Sequence, residues 1–334
     1  MPLNNYGVLA ARAVDRRREG SSDTPHYQIH LTDDAGTHYR AAVNVESQQA
    51  PSELLYLADD NFRHPLTELL PPAGSGWNAL PSQPGTASVD FIRGNLFDPA
   101  SMRTLPPDLE GADNDLADLL DHYVQRVIAD SAAVYAFGQR WGPEKAGADK
   151  VFGFRPGNGV HDIHMNQGNS GRFSSDNGVW QDGALLLHLP AENRWVAIFL
   201  AFQSQAWHTD DTTGQPIDTA PPRPSSREEP LRIMAALVNP VGPTPKAETV
   251  TVLNASPASV NLQGWHLADQ NQQTLPLPAS PLPPGTTLTI PADNGFHLGN
   301  RGGTITLIDP DGLKVHGVSY TAQQAQREGR TVTF

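Results

Sequence analysis

Glu248–Asp269, ETVTVLNASPASVNLQGWHLAD, decides the architecture of the C-terminal third of the chain. Threonine alternates with valine up to Asn254, and apolar residues resume after Pro257 to reach Trp265. Alternation at a period of two marks a strand with one buried face, and asparagine, glycine and proline supply the reversals between strands. The runs on either side read the same way: RIMAALV (232–238) before it, then TTLTI (286–290), GTITLID (303–309) and LKVHGVSY (313–320), separated by turn residues. Short strands at this spacing predict a small β-sandwich over 231–334.

Immediately upstream, 209–230 reads TDDTTGQPIDTAPPRPSSREEP, rich in proline, small polar residues and charge, with no apolar period. That composition predicts a linker, leaving 1–208 as a separate N-terminal domain. A length of 334 residues suits two domains, and a 38% hydrophobic content supports ordinary cores.

No apolar run approaches the ~20 residues that span a bilayer, and the opening MPLNNYGVLAARAVDRRREG has too short an apolar centre for a signal peptide. The expectation is a soluble cytoplasmic protein without membrane partners. The absence of cysteine excludes disulfides and thiolate metal sites. The net charge of −13 is uneven: 30 acids face 17 bases before Pro230, and 6 face 6 from there on. Such a field opposes unspecific adhesion to duplex nucleic acid and suits divalent cations better.

The N-terminal part reads as α+β with strand dominating, from YGVLAARAV, HYQIHLT, HYRAAVNVE, VDFI, VYAFG, VFGF, ALLLHL and WVAIFLAF. One amphipathic helix stands out over 114–130, where Leu116, Leu119, Leu120, Tyr123, Val124, Val127 and Ile128 share a face. Asp113 is the expected N-cap, and Asp115, Asp118 and His122 form the opposite face, either a solvated stripe or a metal or acid/base surface.

The densest polar stretch is 151–169, VFGFRPGNGVHDIHMNQGN. Left unpaired in a core, each such group costs ~1–3 kcal/mol, so the cluster belongs on a rim, in a network or around a ligand. His164 is a candidate general base or acid, Asp162 orients it or binds metal, and His161 joins them as a further catalytic group or metal ligand. A divalent ion such as manganese, magnesium or zinc is the cofactor that this donor set suggests. Asn166, Gln167 and Asn169 offer amides to an anionic oxygen or other substrate group. The alternative is a hydrogen-bonded turn whose histidines are satisfied by backbone carbonyls. Arg93 and Arg63 are candidates to face a phosphate, with His64 beside them in the substrate site. His30, His38, Asp59, Asp60, Asp90, Gln203, Gln205 and His208 are weaker single candidates, and His208, Asp210 and Asp211 have metal-like spacing in a stretch that suits a solvated linker.

Glycine-rich dinucleotide and phosphate loops, HExxH and GxSxG are absent, as is any basic helix for sequence-specific nucleic-acid reading.

ETVTVLNASPASVNLQGWHLAD together with LGNRGGTITLIDPDGLKVHGVSY resembles the lamin-tail domain, an immunoglobulin-like sandwich. That resemblance implies an adhesive or targeting module that often accompanies hydrolases and nucleases, with Trp265 as its core anchor. NYGVLAARAVDRRREG, HYQIHL, HYRAAVNVES, FRHPL, DFIRGNLFD, NGVHDIHMNQGN and WVAIFLAFQSQAWHTDD are similar to the bacterial YukJ-like family over about 4–211, which implies an architecture and no mechanism.

Two readings follow. In the first, the chain is a hydrolase, a phosphodiesterase or nuclease, whose chemistry lies at 161–169 and whose lamin-tail module recruits a partner. In the second, it is a non-catalytic two-domain binding or assembly protein. An active site predicts that His161, His164, His64 and Arg93 converge.

Overall fold

The computed structural model describes residues 5–19, 25–46, 54–80, 96, 101–105, 115–145, 147–162, 183–202, 230–242, 247–271, 273–293, 295–310 and 314–334. The chain forms two compact units, with Arg63–Leu69 grouped with the C-terminal one.

In the N-terminal unit, β1 (Tyr6–Arg18), β2 (His26–Thr32) and β3 (His38–Asn44) form an antiparallel meander. β4 (Leu54–Asp59) follows, then, after α1 (Leu66–Leu69) of the segment grouped with the other unit, β5 (Gly76–Ala79) and the two-residue β6 (Arg103–Thr104). α2 (Leu116–Ala129) leads into β7 (Ala133–Trp141), and β8 (Gly159–His161) then runs parallel to β3 and antiparallel to the end of β7. β9 (Gly183–Leu189) and β10 (Arg194–Phe202) extend the sheet from β7 towards β4 and β6. Because β7 also pairs with β1 from Tyr6 to Arg12, the strands β1-β2-β3-β8-β7 close on themselves.

This is a five-strand Greek-key barrel with a helix between its third and fourth strands, the connectivity of the oligonucleotide- and oligosaccharide-binding barrel. Strand alternation fills it: Tyr27, Ile29 and Leu31 of β2 and Tyr39, Ala41 and Val43 of β3 enter the core with Leu9, Val134 and Val160. α2 adds Leu116, Leu120, Tyr123, Val124 and Val127 to the same core.

Two details depart from the sequence reading. The helix is capped by Asp115, whose carboxylate accepts the Asp118 N–H at 2.9 Å, and Asp113 lies outside the described residues. Val151–Phe154, expected as a strand, is a turn, because Asp149 draws the N–H groups of Val151 and Phe152 onto one carboxylate oxygen. The VDFI run and the 209–229 stretch of the expected linker also lie outside the described residues.

The C-terminal unit is a sandwich of two four-stranded sheets. The first orders β17 (Thr287–Pro291), β12 (Thr249–Asn254), β11 (Leu231–Leu237) and β20 (Val332–Thr333). The second orders β15 (Thr274–Pro276), β14 (His266–Asp269), β18 (Gly302–Ile308) and β19 (Lys314–Thr321). A short pair, β13 (Val260–Asn261) with β16 (Pro281–Leu282), and the one-turn helix α3 (Ala322–Ala325) complete it. Trp265 is buried among Leu231, Ile233, Leu267, Leu307 and Tyr320, the anchor expected of it. Asn254 makes the reversal after β12: its amide donates to the carbonyls of Ala258 and Leu282, and its side-chain oxygen accepts the Ser256 N–H.

Candidate functional site

The outward positions of β2, β3 and β8 carry the polar residues that the core rejects, and they form one network. His26, Gln28 and His30 alternate with the buried Tyr27, Ile29 and Leu31, and Arg40 and Asn44 do the same on β3. The parallel β3–β8 ladder sets His161 opposite Ala42, on this face. His161 Nε2 lies 2.9 Å from His26 Nε2, with the rings edge to face at 4.8 Å between centroids.

Each imidazole has a carboxylate behind it. His26 Nδ1 is 3.0 Å from Glu19 Oε2, which also accepts the His26 backbone N–H. His161 Nδ1 is 3.4 Å from Asp162 Oδ1. A proton on His26 Nδ1 that faces Glu19 leaves the Nε2 lone pair of His26 to accept from His161 Nε2–H. Burial, then the charge of His161, hold the His26 pKa below its ordinary 6.5 against the pull of Asp162 and Glu19. Burial pushes the Glu19 carboxyl up, but the hydrogen bonds and charge of His26 and the Gln28 amide outweigh it and leave Glu19 below its ordinary value.

The network continues along the face. Gln28 donates to Glu19 at 2.7 Å, Arg40 donates to Gln28 at 2.7 Å, and Arg40 Nε donates to Asp149 at 2.7 Å. Arg40 and Asp149 are both buried, and the Arg40 guanidinium lies 4.7 Å from the centre of the Trp141 ring. Asp162, also buried, accepts the backbone N–H and the side-chain amide of Asn44, each at 3.0 Å. Glycine permits the close approach of β8 to both neighbours: a Cβ at Gly138 of β7 would collide with the His161 carbonyl, and one at Gly159 of β8 with the Arg40 carbonyl of β3.

Beyond this cluster, His30 Nε2 is 2.9 Å from His38 Nδ1, and the turn brings Phe152 and Phe154 to stack on His30, each with 5.0 Å between centroids.

Of the sequence candidates, His161 and Asp162 stand in this site. His164, Asn166, Gln167, Asn169, Arg93, Asp90, Gln203, Gln205, His208 and Asp210 lie outside the described residues, as does Asp211. Arg63 and His64 belong to the other compact unit. There His64 is buried, and its Nδ1 accepts the Leu66 N–H at the start of α1, a structural task. Asp59 accepts the Asn61 N–H, and Asp60 lies 3.5 Å from the Tyr123 hydroxyl. Asp118 on α2 pairs with Arg18 at 2.8 Å, and its neighbour Asp121 pairs with Arg16 at 3.0 Å and accepts from Tyr27, so this side of the helix is committed to packing. Among the described residues no three His, Asp or Glu side chains are grouped to hold a metal ion.

Glu19, His26, Gln28, Arg40, Asn44 and Asp149 were missed by the sequence reading. The signal was present as polar residues at every second position of two apolar strands. Their partners are remote, with His26 separated from His161 by 135 positions.

Comparison with known proteins gives a family match to each part of the chain. The family model described as an uncharacterized conserved protein, DUF2278, matches residues 1–214. The chain belongs to the DUF2278 family. The Lamin Tail Domain model matches residues 225–322, so the C-terminal sandwich is a lamin tail domain. Uncharacterized protein YukJ of Bacillus subtilis (strain 168) is 43% identical over 219 residues, covering 65% of this chain and 96% of that protein. No solved structure matches. Among the described residues no helix is long and apolar enough to cross a membrane.

Proposed function

We propose that the DUF2278 unit is a hydrolase of phosphodiesters in which His26 and His161 act as base and acid, and that the lamin tail domain recruits a partner. The observation that carries this reading is the 2.9 Å contact between two partly exposed imidazoles, each backed by a carboxylate. Neutral His26 removes the proton of the attacking hydroxyl or water through Nε2, while Glu19 stabilises the imidazolium that forms. His161 enters the cycle as the imidazolium, gives its Nε2 proton to the leaving oxygen and is left neutral. Direct transfer between the two Nε2 atoms then restores both rings, so protons balance over a turnover. Asp162, held by Asn44, positions His161. His164 and the amides of Asn166, Gln167 and Asn169 follow within eight positions and remain candidates for the phosphate side, with Arg93.

Release of nitrophenol from bis(p-nitrophenyl) phosphate tests it. His161→Asn and His26→Asn are each expected to lower turnover by ~100-fold or more with the melting temperature retained, the scale of a lost general acid or base. Turnover should survive chelation. Activity restored only by manganese, magnesium or zinc would instead make the 161–169 stretch a metal site, and full activity in His161→Asn would end the proposal.

One observation favours the second, non-catalytic reading: the buried Arg40–Asp149 and Asp162–Asn44 pairs make the rigid backing of a binding surface. Binding of a polyanion by wild-type protein without turnover would select it.

A further inference from the structure

We infer that the outer face of β2 and β3 binds a single-stranded polynucleotide, stacking bases on the rings of Phe152, Phe154, His30 and His38. This names the substrate class of the proposed site and rests on the acid–base reading only for the position of the scissile phosphate.

The rings are arranged as a platform. Phe152 and Phe154 lie at 23° and 12° to His30, and Phe154 lies at 26° to His38 with 5.6 Å between centroids. None is in the hydrophobic core; His38 is exposed and the other three are half-buried. The platform is rigid, because Asp149 is anchored by Arg40 from below and caps the N–H of Phe152. Each ring keeps part of its surface exposed, and every base has a π-face, so such a surface accepts single strands with little regard to sequence.

Charge selects the class of ligand. Arg17 is exposed, 5.2 Å from the centre of the Phe152 ring, with its guanidinium donating to the Val151 carbonyl. Lys150 and Arg155 flank the two phenylalanines, are exposed, and have no ion-pair partner among the described residues. Three cations gather at the stacked rings against a net charge of −13 and beside the exposed Asp15 that acts on His30, a local patch that suits a polyanion with bases and gives no advantage to a neutral oligosaccharide. The fold agrees at the level of analogy, since barrels of this connectivity bind on the face of their second and third strands.

Spacing links platform to pair. His26, Gln28 and His30 share one face of β2, so His30 lies about 13 Å along the strand from His26 at ~3.3 Å per residue. A strand whose bases stack at Phe154 and Phe152 extends its backbone towards His26 and His161.

The test is fluorescence anisotropy of labelled oligo-dT and oligo-U about 15 nucleotides long, near the upper site size of such barrels. Wild-type protein should bind both, more weakly as salt rises, and a duplex of equal length less well. Phe154→Ala should weaken binding about 5- to 150-fold, the effect of one lost base stack. Phe154→Tyr should restore it, Arg17→Gln with Arg155→Gln should weaken it and reduce its salt dependence, and His188→Ala should leave it unchanged. No binding of either oligomer overturns the inference, as does equal binding by Phe154→Ala or effective competition by a neutral oligosaccharide. Binding without turnover of the oligomer would defeat the acid–base reading alone, and turnover indifferent to Phe154 would defeat the platform alone.

Discussion

At the scale of residues, the site is governed by how few of its polar groups meet water. Asp149 has no exposed side-chain surface and, among the described residues, one cationic partner, Arg40, itself buried. Removing that partner leaves a buried charge, so Arg40→Ala should cost about 3–5 kcal/mol, read as a lowered urea midpoint, and should free the turn that carries Phe152 and Phe154. Histidine titration gives a second prediction. Burial, with the charge of a neighbouring histidine, holds both His26 and His30 below their ordinary 6.5. The unfolded chain therefore binds more protons than the folded one between the two values, and stability rises with pH there. Their full contribution is present above about 6.5 and is lost as pH falls below it towards the folded values. Melting temperature should drop between pH 7.5 and pH 5.5, by less in His26→Asn; a flat profile in wild type would show that neither ring is protonated at a cost.

At the scale of elements, α2 and the β7–β8 junction carry the argument. The helix was legible because its apolar residues recur at helical spacing, and its face of Leu116, Leu120, Val124 and Val127 is buried as that spacing requires. Its cap was misplaced by two residues, since aspartates at 113, 115 and 118 all suit a first turn and only the backbone conformation at Asp115 selects among them. Asp115→Ala should cost about 1 kcal/mol, measured by denaturant titration. The turn at Val151–Phe154 was illegible for a related reason: four apolar or small residues suit a strand locally, and the tie to Arg40 is 109 positions away. Gly138→Ala should push β8 off β7, lowering both the melting temperature and turnover, because the added methyl would meet the His161 carbonyl.

At the scale of the whole molecule, each unit has its own hydrophobic core, one built around the barrel and α2, the other around Trp265. Trp265→Ala should cost about 3–5 kcal/mol in the C-terminal core, visible by calorimetry, while oligonucleotide binding by the barrel persists. The sequence alone determined the strand-dominated architecture, the lamin-tail sandwich, the amphipathic helix and the polar density that includes His161, since period, turn chemistry and family likeness are all carried by neighbouring residues. Only the tertiary structure decided that β1, β2, β3, β8 and β7 close into a barrel, that His26 and Glu19 face His161, and that His64 belongs to a different unit. The closure of the barrel and the His26–His161 contact depend on which strand edges pair across more than a hundred residues, and a one-residue change of register would turn His26 and His161 to the opposite face.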